Sequence, residues 1–144
     1  MTEPTRIRAR VFGADSVPSD VVSETYIKLD NDLEAFSSNL PILVLENFSR
    51  GNPGRAFQDA FLAVFERDET GRSRLANPID VGSRIGLHIQ GNNSASFPKP
   101  GYRVELRDEA DQDEALELLG MPAESDWILK GPYTDDRTLI QNAL

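Results

Sequence analysis

The sequence predicts an α+β fold, a mainly antiparallel sheet with one or two short helices, entered from an N-terminal β-ribbon. Residues 85–107 alternate apolar and polar side chains through two strand-length stretches, which is the period of half-buried strands. Residues 41–48 and 57–66 are nearly continuous apolar runs of strand length. Residues 108–120 and 136–144 space their apolar side chains at helical intervals, and Gly120 stands where the first of these helices would stop.

Composition bounds what such a fold does. A chain of 144 residues with 39% hydrophobic side chains is long enough for one packed core, as an ordinary domain or as a piece of a larger protein. A net charge of −9 argues against nucleic acid and anionic membrane as partners, since both call for clustered Lys and Arg. No apolar run approaches the length of a membrane span, and the opening MTEPTRIRAR has no apolar core of a signal peptide. With no cysteine and one histidine, a Cys/His zinc site and a disulfide framework are excluded.

Taken in order, residues 5–12 alternate Ile7, Ala9 and Val11 with Arg6, Arg8 and Arg10, which predicts a strand with a charged, solvated outer face. VVSETYIKL (21–29) is its partner. A two-strand ribbon is marginal alone, so it calls for further strands or for packing on the rest of the chain. The polar stretch 30–39 reads as a connector and domain boundary, with Leu33 and Phe36 as anchors. PILVLENF (41–48) predicts a central strand buried on both faces, with Pro41 at the start, where a strand tolerates it. SRGNPGR (49–55) is a loop. FLAVF within 56–68 is a strand rather than a helix, because it is aromatic and β-branched and runs into the turn-like DETG. Residues 76–84 form a loop leading into the 85–107 hairpin.

Beyond that hairpin, DEADQDEALELLG (108–120) predicts a short helix with an acidic, solvated first turn. Asp111 and Asp113 lack the glycine turn and terminal Glu of a calcium loop. ESDWILKG (124–131) is a strand with Trp127 in the core. A final helix starts at a cap provided by Thr134, Asp135 or Asp136, carries Leu139, Ile140 and Leu144 as its apolar stripe, and stops without a capping glycine, so a truncated chain is expected. His88 has no acid in the local pattern to orient it and reads as a structural histidine.

The hairpin loop GNNSASFPKPG (91–101) carries the chemistry. Two glycines and two prolines shape it, Asn92, Asn93, Ser94 and Ser96 supply polar groups, and Lys99 supplies a charge. Such a loop suits an anion, because N–H groups and an ammonium both bind phosphate. It also suits an ordinary surface hairpin, and pattern alone leaves both open.

Four stretches carry a wider resemblance: SNLPILVLE (38–46), IQGNNSASFPKPGYRVEL (89–106), LLGMPAESDWIL (118–129) and DDRTLIQNAL (135–144). In order and spacing, residues from about 38 to 144 resemble the amino-terminal part of the CotH (spore coat protein H) family of atypical protein kinases. Residues 1–29 weakly resemble the last two strands of the small β-sandwich appended to chitobiase-type enzymes. The resemblance implies two units, residues 1–30 from a β-sandwich and 31–144 from an incomplete kinase domain whose sheet is like a protein-kinase amino-terminal lobe. It implies ATP and magnesium as cofactors, and Ser or Thr of bacterial coat or extracytoplasmic proteins as substrate. It places Lys99 at the phosphates, with Asn92, Asn93, Ser94, Ser96 and Asn142 as further nucleotide-binding positions. The family's catalytic and metal-binding aspartates fall beyond Leu144, in a carboxy-terminal lobe, so none is assigned here and the fragment alone is expected to be inactive. Gln90, Pro100 and Gln141 stand where the family usually has positive charge. Two classes of function therefore stay open: a segment of an ATP-dependent Ser/Thr kinase, and a non-catalytic surface or adhesion module.

Overall fold

Residues 3–13 and 17–133 are described by a computed structural model. In chain order the strands are β1 (Thr5–Ala9), β2 (Val22–Tyr26), β3 (Ser37–Ser38), β4 (Ile42–Glu46), β5 (Gln58–Phe65), β6 (Ser73–Arg74), β7 (Val81–Gln90), β8 (Gly101–Arg107), β9 (Leu116–Leu118), β10 (Met121–Glu124) and β11 (Asp126–Leu129). A single 3₁₀ turn, Asn93–Ser96, lies between β7 and β8. No α-helix occurs among the described residues, which corrects the α+β expectation: the described fold is nearly all β. The predicted helix at 136–144, with Asn142, lies outside the described residues.

The heart of the molecule is a five-stranded sheet in the order β11-β8-β7-β5-β4, antiparallel throughout. Its strands contain the stretches whose apolar patterns predicted strands. Strand β5 is buried on both faces, with Ala60, Leu62, Ala63 and Val64 at 0–1% exposure. The apolar 41–48 run instead forms the edge strand β4, only half-buried, so the expected central position belongs to its neighbour. Strand β7 begins at Val81, inside the expected 76–84 loop, because Val81, Gly82 and Ser83 pair with Val64, Ala63 and Leu62.

Alternation along the strands puts Leu62, Val64, Ile85, Leu87, Val104 and Leu106 on one face, where Leu118 of β9 and the half-buried Leu116, Trp127 and Leu129 close the core. Trp127 packs here as expected and donates its indole N–H to the Glu124 carbonyl at 3.0 Å. The opposite face has an apolar cluster beside β4, where Ala63 and Phe65 meet Leu75, Ile27 and Leu29. Further across, it carries Arg84, Gly86 and His88 of β7 opposite Arg107, Glu105 and Arg103 of β8. His88 sits edge-on to Phe57, ring centroids 4.4 Å apart.

The acidic 108–120 stretch is turn and hairpin, not helix. The Asp108 carboxylate accepts the amides of Ala110 (2.8 Å) and Gln112 (2.9 Å), and Glu114 N–H donates to the Leu106 carbonyl at 3.0 Å. A helix would stack like charges a turn apart, which is unfavourable, whereas the turn sends them into solvent. Leu116 and Leu118 then alternate with Glu117 as β9, and Leu119 and Gly120, at φ 55° and 74°, make the two-residue turn into β10. Gly120 thus ends a strand instead of capping a helix.

The ribbon β1–β2 is inside out relative to expectation. Arg6, Ser23 and Thr25 are half-buried toward the sheet, while Ile7, Val22 and Tyr26 are exposed by 46–70%. Arg6 donates to the Ala60 carbonyl at 2.6 Å, Arg8 to the Glu109 carbonyl at 2.5 Å and Ser23 to the Glu109 carboxylate at 2.6 Å. Polar side chains reaching main-chain acceptors dock the ribbon, where its aliphatic face would offer no acceptor-matched contact. Leu33 and Phe36, expected as anchors of the connector, are exposed at 36% and 46%. No helix among the described residues is long and apolar enough to cross a membrane.

Candidate functional site

The β7–β8 hairpin projects its loop from one end of the five-stranded sheet. Gly91 leaves β7 at φ 97°, a conformation open to glycine, and a side chain there would overlap the Ser94 hydroxyl. Asn92 is helical in φ and ψ and leads into the 3₁₀ turn Asn93–Ser96. Ser96 donates its hydroxyl to the Asn93 carbonyl at 2.8 Å, and Phe97 N–H donates to the Ser94 carbonyl at 3.2 Å. The polar loop is therefore an ordered turn, and Asn92, Asn93, Ser94 and Ser96 are all solvent-facing. Lys99 follows in the bend before β8, exposed, and lies outside a strand. Asn142, the remaining position implied by the resemblance, lies outside the described residues.

Two cations join the loop that sequence reasoning missed. Arg55 comes from the Gly-Pro loop before β5, and its guanidinium donates to the Gly91 carbonyl and, at 3.4 Å, to the Asn92 carbonyl. The same loop is tied to β7 through Ile89 N–H and the Gly54 carbonyl at 2.8 Å. Lys130 comes from the end of β11, where the Gly131 backbone lies against the Lys99 and Pro100 carbonyls. A lone Arg after a Gly-Pro turn and a lone Lys after a strand have no local pattern that would reveal either; pairing 36 residues apart brings Arg55 in.

The hairpin loop and the chain after β11 border an open cleft of about 370 Å³ lined by Gly91, Ser94, Phe97, Gly101, Lys130 and Tyr133 among others, with Arg55 outside it. Its lysine is Lys130; Lys99 stands just outside it. Phe97 and Tyr133 give it an aromatic wall, ring centroids 5.6 Å apart and tilted by 39°. The volume falls within the range of small-ligand sites, and the lining combines aromatic surface, loop polar groups and one ammonium. In the described residues neither Lys99 nor Lys130 forms an ion pair, while Arg103 across the sheet end is held by Asp126 at 3.0 Å.

What the cleft does not bring together is a set of acids. Among the described residues no carboxylate lines the cleft, and toward the other end of the sheet the acids serve arginines: Asp59 and Glu105 lie 3.7 Å and 2.8 Å from Arg107, and Asp111 pairs with Arg84. Among the described residues no three carboxylate or imidazole side chains converge to hold a metal ion. The magnesium implied by the resemblance therefore has no ligand set among the described residues, and the cleft itself offers loop polar groups, one ammonium and an aromatic surface. Compared with known proteins, the chain matches no family model, no curated protein and no solved structure.

Proposed function

We propose that this chain carries the phosphate-binding hairpin of an ATP-dependent protein kinase of the CotH type, one that phosphorylates Ser or Thr of coat or extracytoplasmic proteins, and that the 144-residue chain alone binds nucleotide weakly and transfers nothing. The observation that carries the reading is the convergence of Arg55 and Lys130 on the polar loop that already contains Lys99, in a chain of net charge −9. Arg55 engages the Gly91 and Asn92 carbonyls, Lys130 lines the cleft and Lys99 stands exposed beside it, so that an anion at the loop would meet positive charge. Phe97 and Tyr133 offer the adenine a stacking wall beside them.

A non-catalytic binding module is the second reading. Gln90 and Pro100 favour it, since both flank the loop without the charge that tight phosphate binding calls for. Calorimetric titration with ATP tests the first reading. Lys99→Ala and Lys130→Ala should each weaken binding about tenfold, as expected for losing one charge-assisted contact of about 1.5 kcal/mol. Equal affinity in the wild type and both variants, all folded, would return the hairpin to an ordinary surface turn.

A further inference from the structure

A second positive site lies on the ribbon side of the sheet. Arg6 and Arg8 of β1, Arg50 of the loop after β4 and Arg84 of β7 line one groove of about 410 Å³, together with Phe48, Pro4, Thr5 and a single acid, Asp59. In a chain with 24 acidic and 15 basic residues, four arginines to one aspartate is a local reversal of sign. The groove is separate from the 91–99 loop: five residues of β7 lie between Arg84 and Gln90, and the six steps from one to the other span about 20 Å of extended strand.

The arginines are unevenly satisfied. Arg8 pairs with Glu109 at 3.4 Å and Arg50 with Asp59 at 3.4 Å, and both pairs are solvent-exposed. Arg84 is 8% exposed, pairs with Asp111 and donates to the Asp108 carbonyl at 2.6 Å, yet its Nε–H is buried without an acceptor. Arg6 has no acidic partner among the described residues; its guanidinium lies 4.8 Å over the Phe48 ring, and its Nε–H is also buried without an acceptor. Burial, then the charge of Arg84, lowers the Arg6 pKa from its ordinary value. Two guanidinium groups held together at a half-buried site are a repulsive arrangement that a bound anion relieves.

We infer that this groove binds a small phosphate-class oxyanion between the ribbon and the sheet, with Arg6 and Arg84 at its floor and Arg8 and Arg50 at its rim. Glu109, Asp59 and Asp111 partner Arg8, Arg50 and Arg84; the anion would supply the counter-charge that Arg6 lacks, and would clamp the ribbon to the sheet. Inorganic phosphate is the probe, titrated into the full 144-residue chain at low ionic strength, where screening is least, and followed by the arginine Nε–H resonances. The Arg6 and Arg84 signals should shift saturably in the millimolar range or below, and Lys99→Ala and Lys130→Ala should leave the titration unchanged. Arg6→Gln should weaken it about tenfold or more, and Arg50→Gln, a surface change that tests the rim without touching a buried group, by a smaller factor. Acetate, with one charge, should bind about tenfold more weakly than phosphate. Absence of a saturable shift in the wild type, an equal response to acetate, or an undiminished response in both arginine variants would overturn the site. Loss of ATP binding in the loop variants with this titration intact would separate the two sites.

Discussion

Asp68 organises the turn after β5. Its carboxylate accepts the Thr70 hydroxyl at 2.5 Å and the amides of Thr70 and Arg72 at 2.8 Å and 3.3 Å, and it pairs with Arg74. The Thr70 hydroxyl first, then those amides and Arg74, hold its carboxyl well below the usual carboxylate range, against a smaller opposing effect of burial. A depressed folded pKa means stability that is complete above the unfolded pKa and lost as pH falls through the folded one. Thermal denaturation should therefore show the wild type losing stability progressively below about pH 4, and Asp68→Ala, less stable at neutral pH, losing less over the same range. Parallel pH profiles for the two proteins would contradict this role. At the same scale, Gly91→Ala should cost about 1–2 kcal/mol at its left-handed φ and displace Ser94, seen as a lower denaturation midpoint and weaker ATP binding. The loop's polar residues were legible because Asn, Ser, Gly and Pro declare a turn locally. Arg55 and Lys130 were not, since only the fold brings them to it.

Elements were legible where one pattern fits one state. Residues 57–66 and 85–107 have the composition and period of strands, and they became β5, β7 and β8. The 108–120 stretch was misread because Ala115, Leu118 and Leu119 fit helical spacing while Leu116 and Leu118 fit a strand equally well; charge repulsion and the Leu119–Gly120 turn decide for the strand. The β1–β2 ribbon was misread because alternation shows that two faces differ but not which one docks. Leu118 is the point at which β9 enters the core, at 4% exposure. Leu118→Ala should lower unfolding free energy by about 2–5 kcal/mol in denaturant titrations. A change within error would mean that the hairpin rests on the sheet without contributing to it.

At the scale of the whole molecule, the β7–β8 cleft combines an aromatic wall with a lysine, while among the described residues no three carboxylate or imidazole side chains converge. Far-UV circular dichroism should be dominated by β-structure, as the described fold requires. Phosphoryl transfer depends on carboxylates and metal placed opposite the phosphate-binding cations. In the described residues Asp59, Glu105, Glu109, Asp111 and Asp126 each engage an arginine, and Asp68 is committed to its own turn. Residues 1–144, incubated with labelled ATP, magnesium or manganese and a Ser-rich acceptor, should transfer no label above buffer. Transfer that vanishes in Lys99→Ala would show a complete site within this chain.

The most direct measurement is an ATP titration of the uniformly ¹⁵N-labelled chain, read residue by residue in its amide spectrum. If the β7–β8 loop holds phosphates and the Phe97–Tyr133 wall holds the base, the largest saturable shifts will fall on Gly91–Ser96, Lys99 and Lys130–Tyr133, and they will diminish in Lys130→Ala. Shifts confined to the Arg6–Arg84 groove, or none that saturate, would contradict the assignment of this hairpin to a nucleotide.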